Sequence, residues 1–439
     1  MPISSAWNNK QPRNSCRLWL RLDKVVESSI RRIIGVSQHC GSTPLLNLSR
    51  REGGLGLPLY SISVPKAKEG LHNDFVKRGM QETVRQVFFS ERERVKLTVK
   101  RFVNDGSFEL AHLLDKSLVS VALRNRLWRK SGGGKELIKG KSIVNACQND
   151  FESADLCRSP HSGGLKGKRL TAAIRLRLRD LPYNTNKAFS SVNPMCRVCK
   201  RERETIEHIV NDRVCNSEQK VAFWLKSHAR LHKYVCSIKN WLQIDPGSYW
   251  AEELDCGIAK PDLICINTRR KSILVVDFCV AWELARGEMV LEQARKRKIA
   301  KYGSQELKAA IQRKCTEVVG ESVTQWTYQV EGVAVGRQGY VTKGSQAALE
   351  TIIRIMTPMR PIRVGESGRA IESRQRRRCA SYDLRIVALD ILSDTARYVL
   401  SHTGRGTQAR RGLGTLITDH THLESQAKRV RLDPSIADR

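Results

Sequence analysis

Two carboxylates and an amine stand in residues 260–302 at spacings that hard-metal chemistry can use. Lys260-Pro261-Asp262 leads into a short apolar run over 263–266. A polar turn covers 267–272, and a second apolar run over 273–276 ends on Asp277. Two β-rich runs joined by a tight polar turn read as a hairpin, which brings Asp262 and Asp277 together at one end. In the following segment, 289–302, Ala294, Lys298, Lys301 and Tyr302 recur at three- and four-residue spacing and share one face of a helix. Carboxylate oxygens on adjacent strands can hold Mg²⁺. The metal acidifies a bound water and neutralises phosphate charge, while a nearby ammonium orients the water. That is the equipment of phosphodiester cleavage. Taken singly, the same residues also suit an ordinary strand pair with Asp at its ends and a basic surface helix.

A second group is Cys196-x2-Cys199 followed by His208 and Cys215. A Cys-x2-Cys step turns two thiolates toward one metal, and a His and a Cys farther on complete a tetrahedral zinc site. His228, His232 and Cys236 are alternative ligands. A two-Cys, two-His set using His228 and His232 would need a 28-residue loop after Cys199. Zinc here is structural, a closed site that folds a short module. A third group is the run over 123–130, where Arg124, Arg126, Arg129 and Lys130 surround Leu123, Leu127 and Trp128. The cations suit a phosphate backbone and Trp128 suits base stacking; a helix with a buried apolar side fits equally well.

The first group resembles the restriction-like endonuclease domain of site-specific non-LTR retrotransposons, the R-two group that inserts into ribosomal RNA genes. The shared features are Lys260-Pro261-Asp262, Asp277 at a strand end, and the Ala294, Lys298, Lys301, Tyr302 helix. The broader PD-(D/E)xK pattern places a Lys two residues after the second acid, where this chain has Cys279. In the R-two group the lysine comes from the following helix, which selects Lys298. The resemblance extends to Glu204-Thr205-Ile206-Glu207-His208-Ile209-Val210 ahead of a fourth zinc ligand. The family leaves four residues between His and the last Cys, whereas six separate His208 from Cys215. It also extends to Gly53-Gly54-Leu55-Gly56-Leu57-Pro58, similar to the end of a reverse transcriptase thumb, and to Gly336-Arg337-Gln338-Gly339. The resemblance implies Asp262 and Asp277 as metal-holding catalytic acids, Lys298 as the residue that orients water, and Lys301 and Tyr302 as supporting residues. It implies Mg²⁺ and Zn²⁺ as cofactors, and target DNA with element RNA as partners.

These residues need elements to hold them. Residues 17–36 place Leu18, Leu22, Val25, Val26, Ile30, Ile33 and Ile34 on one helical stripe, with Arg17, Lys24 and Arg31 opposite. Helices are expected over 66–78, 81–97 and 110–130, and a flexible loop over 130–135. The segment 169–189 alternates like a strand yet also fits a helix; a helix ended by Pro182 is the reading adopted. A helix is expected over 218–235, and a short helix-like stretch carries Glu252 and Glu253. After Tyr302 a helix runs on to Val318. Strands follow over 327–336 and 339–341, then a helix over 345–356.

The expected fold class is α+β: a helical N-terminal half, a small zinc knuckle, and a restriction-endonuclease-like α/β domain with a central mixed sheet. The expected division is a thumb remnant over 1–64, a basic helical linker over 65–190, the knuckle over 191–240, the endonuclease over 241–360, and a basic, partly disordered tail over 361–439.

Composition sets the outer bounds. The net charge of +33 over 439 residues, with pI near 10.0, suits a polyanion partner, of which nucleic acid is the commonest. No apolar run is long enough to span a bilayer, and no membrane partner is expected. Thirteen cysteines without a signal-like N-terminus suit a reduced, intracellular protein. The basic clusters over 374–378 and 428–432 suit solvated tail, and the second also looks like a nuclear import signal. No Tyr/Phe-x-Asp-Asp sequence occurs, so the polymerase palm is absent and RNA copying is not expected of this chain. The leading expectation is therefore an Mg²⁺-dependent DNA endonuclease that nicks its target in the nucleus. The alternative is an inactive fragment that only binds nucleic acid.

Overall fold

The computed structural model describes residues 12–36, 46–47, 50, 54–77, 151–158, 164–185, 193–211, 218–285, 288–358 and 383–403. The expected helices over 81–97 and 110–130, Arg124, Arg126, Trp128, Arg129, Lys130, Cys215 and both basic clusters lie outside them.

Among the described residues the architecture is mixed α and β around one six-stranded sheet. In chain order its strands are β1 (Phe151–Ser153), β2 (Ser248–Glu252), β3 (Leu263–Asn267), β4 (Ser272–Ala281), β7 (Thr327–Gly336) and β8 (Tyr340–Thr342). A separate two-stranded ribbon is formed by β5 (Leu284–Ala285) and β6 (Glu288–Met289). The order across the sheet is β1-β8-β7-β4-β3-β2. Only β4 and β7 pair in parallel; the other neighbours are antiparallel. Parallel neighbours need a long crossover. Here it carries α6 (Leu291–Gly303) and α7 (Gln305–Val319).

The central strands are apolar throughout because both faces of the sheet are covered. Leu263, Cys265, Leu274, Val276 and Phe278 join one core, with Leu349 and Ile352 of α8 (Lys343–Met356) and Leu392 of α9 (Leu384–His402). Their strand neighbours Ile264, Ile266, Ile273 and Val275 point the other way, toward Tyr302, Ile311 and Cys315 of α6 and α7. The hairpin expected from the two apolar runs is β3 and β4, with Leu263 opposite Val276.

Several expectations need correction. β4 does not end at Asp277 but runs on to Ala281, because β7 pairs with it along ten residues. Glu252 lies in a strand, not a helix-like stretch, since β3 offers β2 a ladder on the side away from β4. Glu253 follows with a positive φ of 50°. Residues 151–153, placed in a helical linker, form β1 and close the far edge of the sheet against β8. The region taken as basic tail contains α9, whose Leu384, Val387, Ala388, Ile391, Leu392, Ala396 and Val399 are buried. Arg169 of α3 (Gly167–Arg177) holds it through Asp390 at 2.7 Å. Arg230 of α5 (Glu218–Ser237) does the same through Asp394 at 3.0 Å.

Near the N-terminus, α1 (Pro12–Ile33) packs on α2 (Tyr60–Lys77), with Asp23 accepting from the Tyr60 amide at 2.5 Å. Its apolar stripe is not uniformly covered: Leu18, Val25 and Ile33 are exposed, whereas Arg31 is buried against Glu27.

Candidate active site and metal centre

Side-chain parity decides which face the acids occupy. Alternate strand residues point to opposite faces, so Asp277 shares the side of Ile273 and Val275, the side covered by α6. The pairing of Leu263 with Val276, continued by one residue, sets Asp262 opposite Asp277. Asp262 is fastened there by the Phe278 amide, which donates to its Oδ2 at 2.6 Å. From α6, Lys298 reaches across and its Nζ donates to Asp277 Oδ2 at 2.9 Å. Asp262, Asp277 and Lys298, singled out from sequence, are therefore brought together. Cys279, where the broader pattern has a lysine, stays a thiol: burial pushes it up to about 12. Lys298 brings the cation from the neighbouring helix instead.

The electrostatics are those of two acids confined together. Burial raises the Asp277 carboxyl to about 7, and the hydrogen bond and negative charge of Asp262 push the same way, against the opposing pull of Lys298. Burial also acts to raise Asp262, but hydrogen bonds from His228, Asp277 and the Phe278 amide overcome it and hold Asp262 well below the usual range. One acid thus stays ionised while the other is poised to take a proton. A divalent cation would relieve that repulsion, and hard oxygen donors suit Mg²⁺.

Lys301 and Tyr302 sit one turn farther along α6. Tyr302 is buried, and its hydroxyl donates to the Lys260 carbonyl at 3.4 Å, bracing the step that leads into Asp262. Lys301 lies over the Tyr302 ring, 4.8 Å from its centroid.

α5 contributes residues that sequence reasoning placed elsewhere. His228 Nε2 lies 3.4 Å from Asp262 Oδ2, and His232 Nε2 lies 3.2 Å from the Asp262 carbonyl oxygen. Burial acts to lower His228, but its hydrogen bond and ion pair with Asp262 prevail and raise it. His232 also stands edge-on to Phe278. Their four-residue spacing turns both toward Asp262, His228 to its carboxylate and His232 to its backbone carbonyl. His232, Cys236 and Glu252 have donor atoms within 4.8 Å of one another at this border.

The knuckle is built on a tight turn. Cys196 donates its amide to the Glu202 carbonyl at 2.7 Å, and Lys200 takes a positive φ of 58° to return the chain. α4 (Ile206–Asn211) brings His208 to the two thiols, and the donor atoms of Cys196, Cys199 and His208 all lie within 4.8 Å of one another. His208 Nε2 is 3.3 Å from Cys199 Sγ. Desolvation acts to raise the Cys199 thiol, but amide hydrogen bonds from Arg201 and Glu202 dominate and lower it to about 7. Two thiols, one inclined to ionise, with an imidazole make a donor set that fits zinc.

Set beside known proteins, the chain matches no family model and no curated sequence. Its functional reading rests on the residues themselves.

Proposed function

We propose that this chain is a Mg²⁺-dependent DNA endonuclease of the restriction-like kind, similar in its residues to that of the R-two retrotransposons, with a structural zinc knuckle beside it. The observation that carries the reading is the trio of Asp262, Asp277 and Lys298. Two opposed strand acids lie with an ammonium 2.9 Å from one of them. In this reading Asp262 and Asp277 would hold Mg²⁺, which would supply an acidified water and neutralise charge on the phosphate. The Phe278 amide fixes Asp262, so that the pair keeps its spacing as charge changes. Lys298 steadies the Asp277 carboxylate and orients the attacking water. His228, on the partly open side of Asp262, is placed to exchange a proton with solvent. Tyr302 keeps α6 in register with the Lys260 step. The exposed Lys296, Arg297 and Lys301 of α6 offer cations to a DNA backbone. Zn²⁺ held by Cys196, Cys199 and His208 would be structural. An element-encoded nuclease of this kind would act in the nucleus, on target DNA and with element RNA.

Nicking of supercoiled plasmid tests the reading. The full chain should open the plasmid in Mg²⁺ and stop when EDTA is added. Asp262→Asn should lower the rate by about 10²-fold or more while leaving DNA binding intact. Equal rates for the two proteins would dismiss the assignment. Undiminished binding with no nicking by either would favour an inactive nucleic-acid-binding chain.

A further inference from the structure

We propose that His402, the last residue of α9, is the fourth ligand of the zinc site, so that one ion ties the C-terminal helix to the knuckle. The inference rests on the zinc reading of Cys196, Cys199 and His208 and extends it to a residue 206 positions from Cys196. His402 Nε2 lies 3.5 Å from Cys196 Sγ, and His208 Nε2 lies 3.3 Å from Cys199 Sγ. A tetrahedral ion with Zn–S of about 2.3 Å and Zn–N of about 2.0–2.1 Å separates such atoms by about 3.6 Å. Each thiol–imidazole pair is therefore near the spacing that a zinc ion imposes, and His402, which is not within 4.8 Å of both Cys199 and His208, would close on them as the ion binds.

Two groupings of donor atoms within 4.8 Å share Cys196: one with Cys199 and His208, the other with Glu204 and His402. Glu204 is occupied otherwise. Its Oε1 accepts from the Asn184 amide at 2.9 Å and pairs with the Arg197 guanidinium at 3.2 Å, while its Oε2 accepts from the Arg197 amide at 2.9 Å. These bonds shape the turn between the cysteines and leave the imidazole as the available donor. An independent contact brings the same helix end to the same turn: Arg197, between the two cysteines, donates through its guanidinium to the Thr403 carbonyl. Cys196 is buried and the His402 side chain is only 6% exposed, as a closed structural site requires. The resulting set is two thiolates and two imidazoles.

Cobalt substitution reads this directly, on the full chain and without an activity assay. The Co²⁺-loaded protein should show the visible spectrum of a tetrahedral ion with two thiolates. His402→Ala should lower zinc affinity by at least about 10-fold. His402→Cys should restore it and raise the thiolate-to-cobalt charge-transfer band by about one half, as three thiolates replace two. Hydrogen exchange at 396–403 should quicken on chelation as it does in His402→Ala. Wild-type affinity in His402→Ala would overturn the assignment while leaving the zinc reading intact. So would tight metal binding by His402→Cys with no gain in the charge-transfer band. A wild-type chain that binds neither metal, or keeps its affinity in Cys199→Ser, would overturn both.

Discussion

Glu283 shows how strongly burial governs single residues in this fold. It is fully buried, its Oε1 accepts from the Gln338 amide at 2.6 Å, and its Oε2 has no hydrogen-bond partner among the described residues. Burial raises its carboxyl to about 7, with the Gln338 amide and the Arg177 charge pulling only partly back. The unfolded value is about 4.3, so the fold binds the proton more tightly than the unfolded chain does. The stability from this residue is complete below about pH 4 and is lost as pH rises through about 7, a change on the order of 3 kcal/mol. Glu283→Gln should therefore flatten the fall in stability between about pH 4 and pH 7, measured by urea melts. An unchanged slope would place the titrating group elsewhere. Asp262, Asp277 and Lys298 were legible as residue types at useful spacings. The environment that separates the two acids was not, because it depends on His228 arriving from another helix.

Among the elements, the β3–β4 hairpin and α6 were legible because their periods of two and of three to four residues are local. β1, β2 and α9 were misread because each is decided by a distant partner. Short polar or mixed segments become edge strands only when β8 or β3 presents an open ladder. α9 reads as tail until its apolar side meets the core built on β4 and α8. The proposed fourth zinc ligand is of the same kind: a histidine on the last helix is out of reach of any count forward from His208, and Cys215, the residue such a count selects, lies outside the described residues. Positioning of α6 also depends on a residue with no chemistry. Gly332 of β7 pairs with Asp277 across the parallel ladder, and a Cβ added there would come within 2.7 Å of the Arg295 carbonyl oxygen. Gly332→Ala should push α6 outward and draw Lys298 from Asp277. Nicking should fall by about 10- to 100-fold, with melting changed far less, in paired kinetic and thermal measurements. Full activity in this variant would show that the helix need not sit so close.

At the scale of the whole molecule, a charge of +33 makes binding and cutting separable. Phosphate contacts should dominate affinity, so binding to duplex DNA should weaken by about 10³-fold or more between about 50 and 200 mM salt. The slope should be the same for Asp277→Ala, since losing one buried carboxylate leaves the basic surface in place. Equilibrium titrations at several salt concentrations check this; a shallower slope in the variant would mean that the carboxylate site itself anchors DNA. The basic charge was legible from composition, and it supports only the expectation of a polyanion partner. In the proposed reading, cutting depends on three side chains, Asp262, Asp277 and Lys298. The most direct measurement is nicking of supercoiled plasmid in Mg²⁺ by the full chain, by Asp277→Ala and by Lys298→Ala, each at matched DNA occupancy. The account predicts nicking by the parent alone, with both variants slowed by about 10²-fold or more. Equal rates in all three, or nicking that survives in Asp277→Ala, would contradict it.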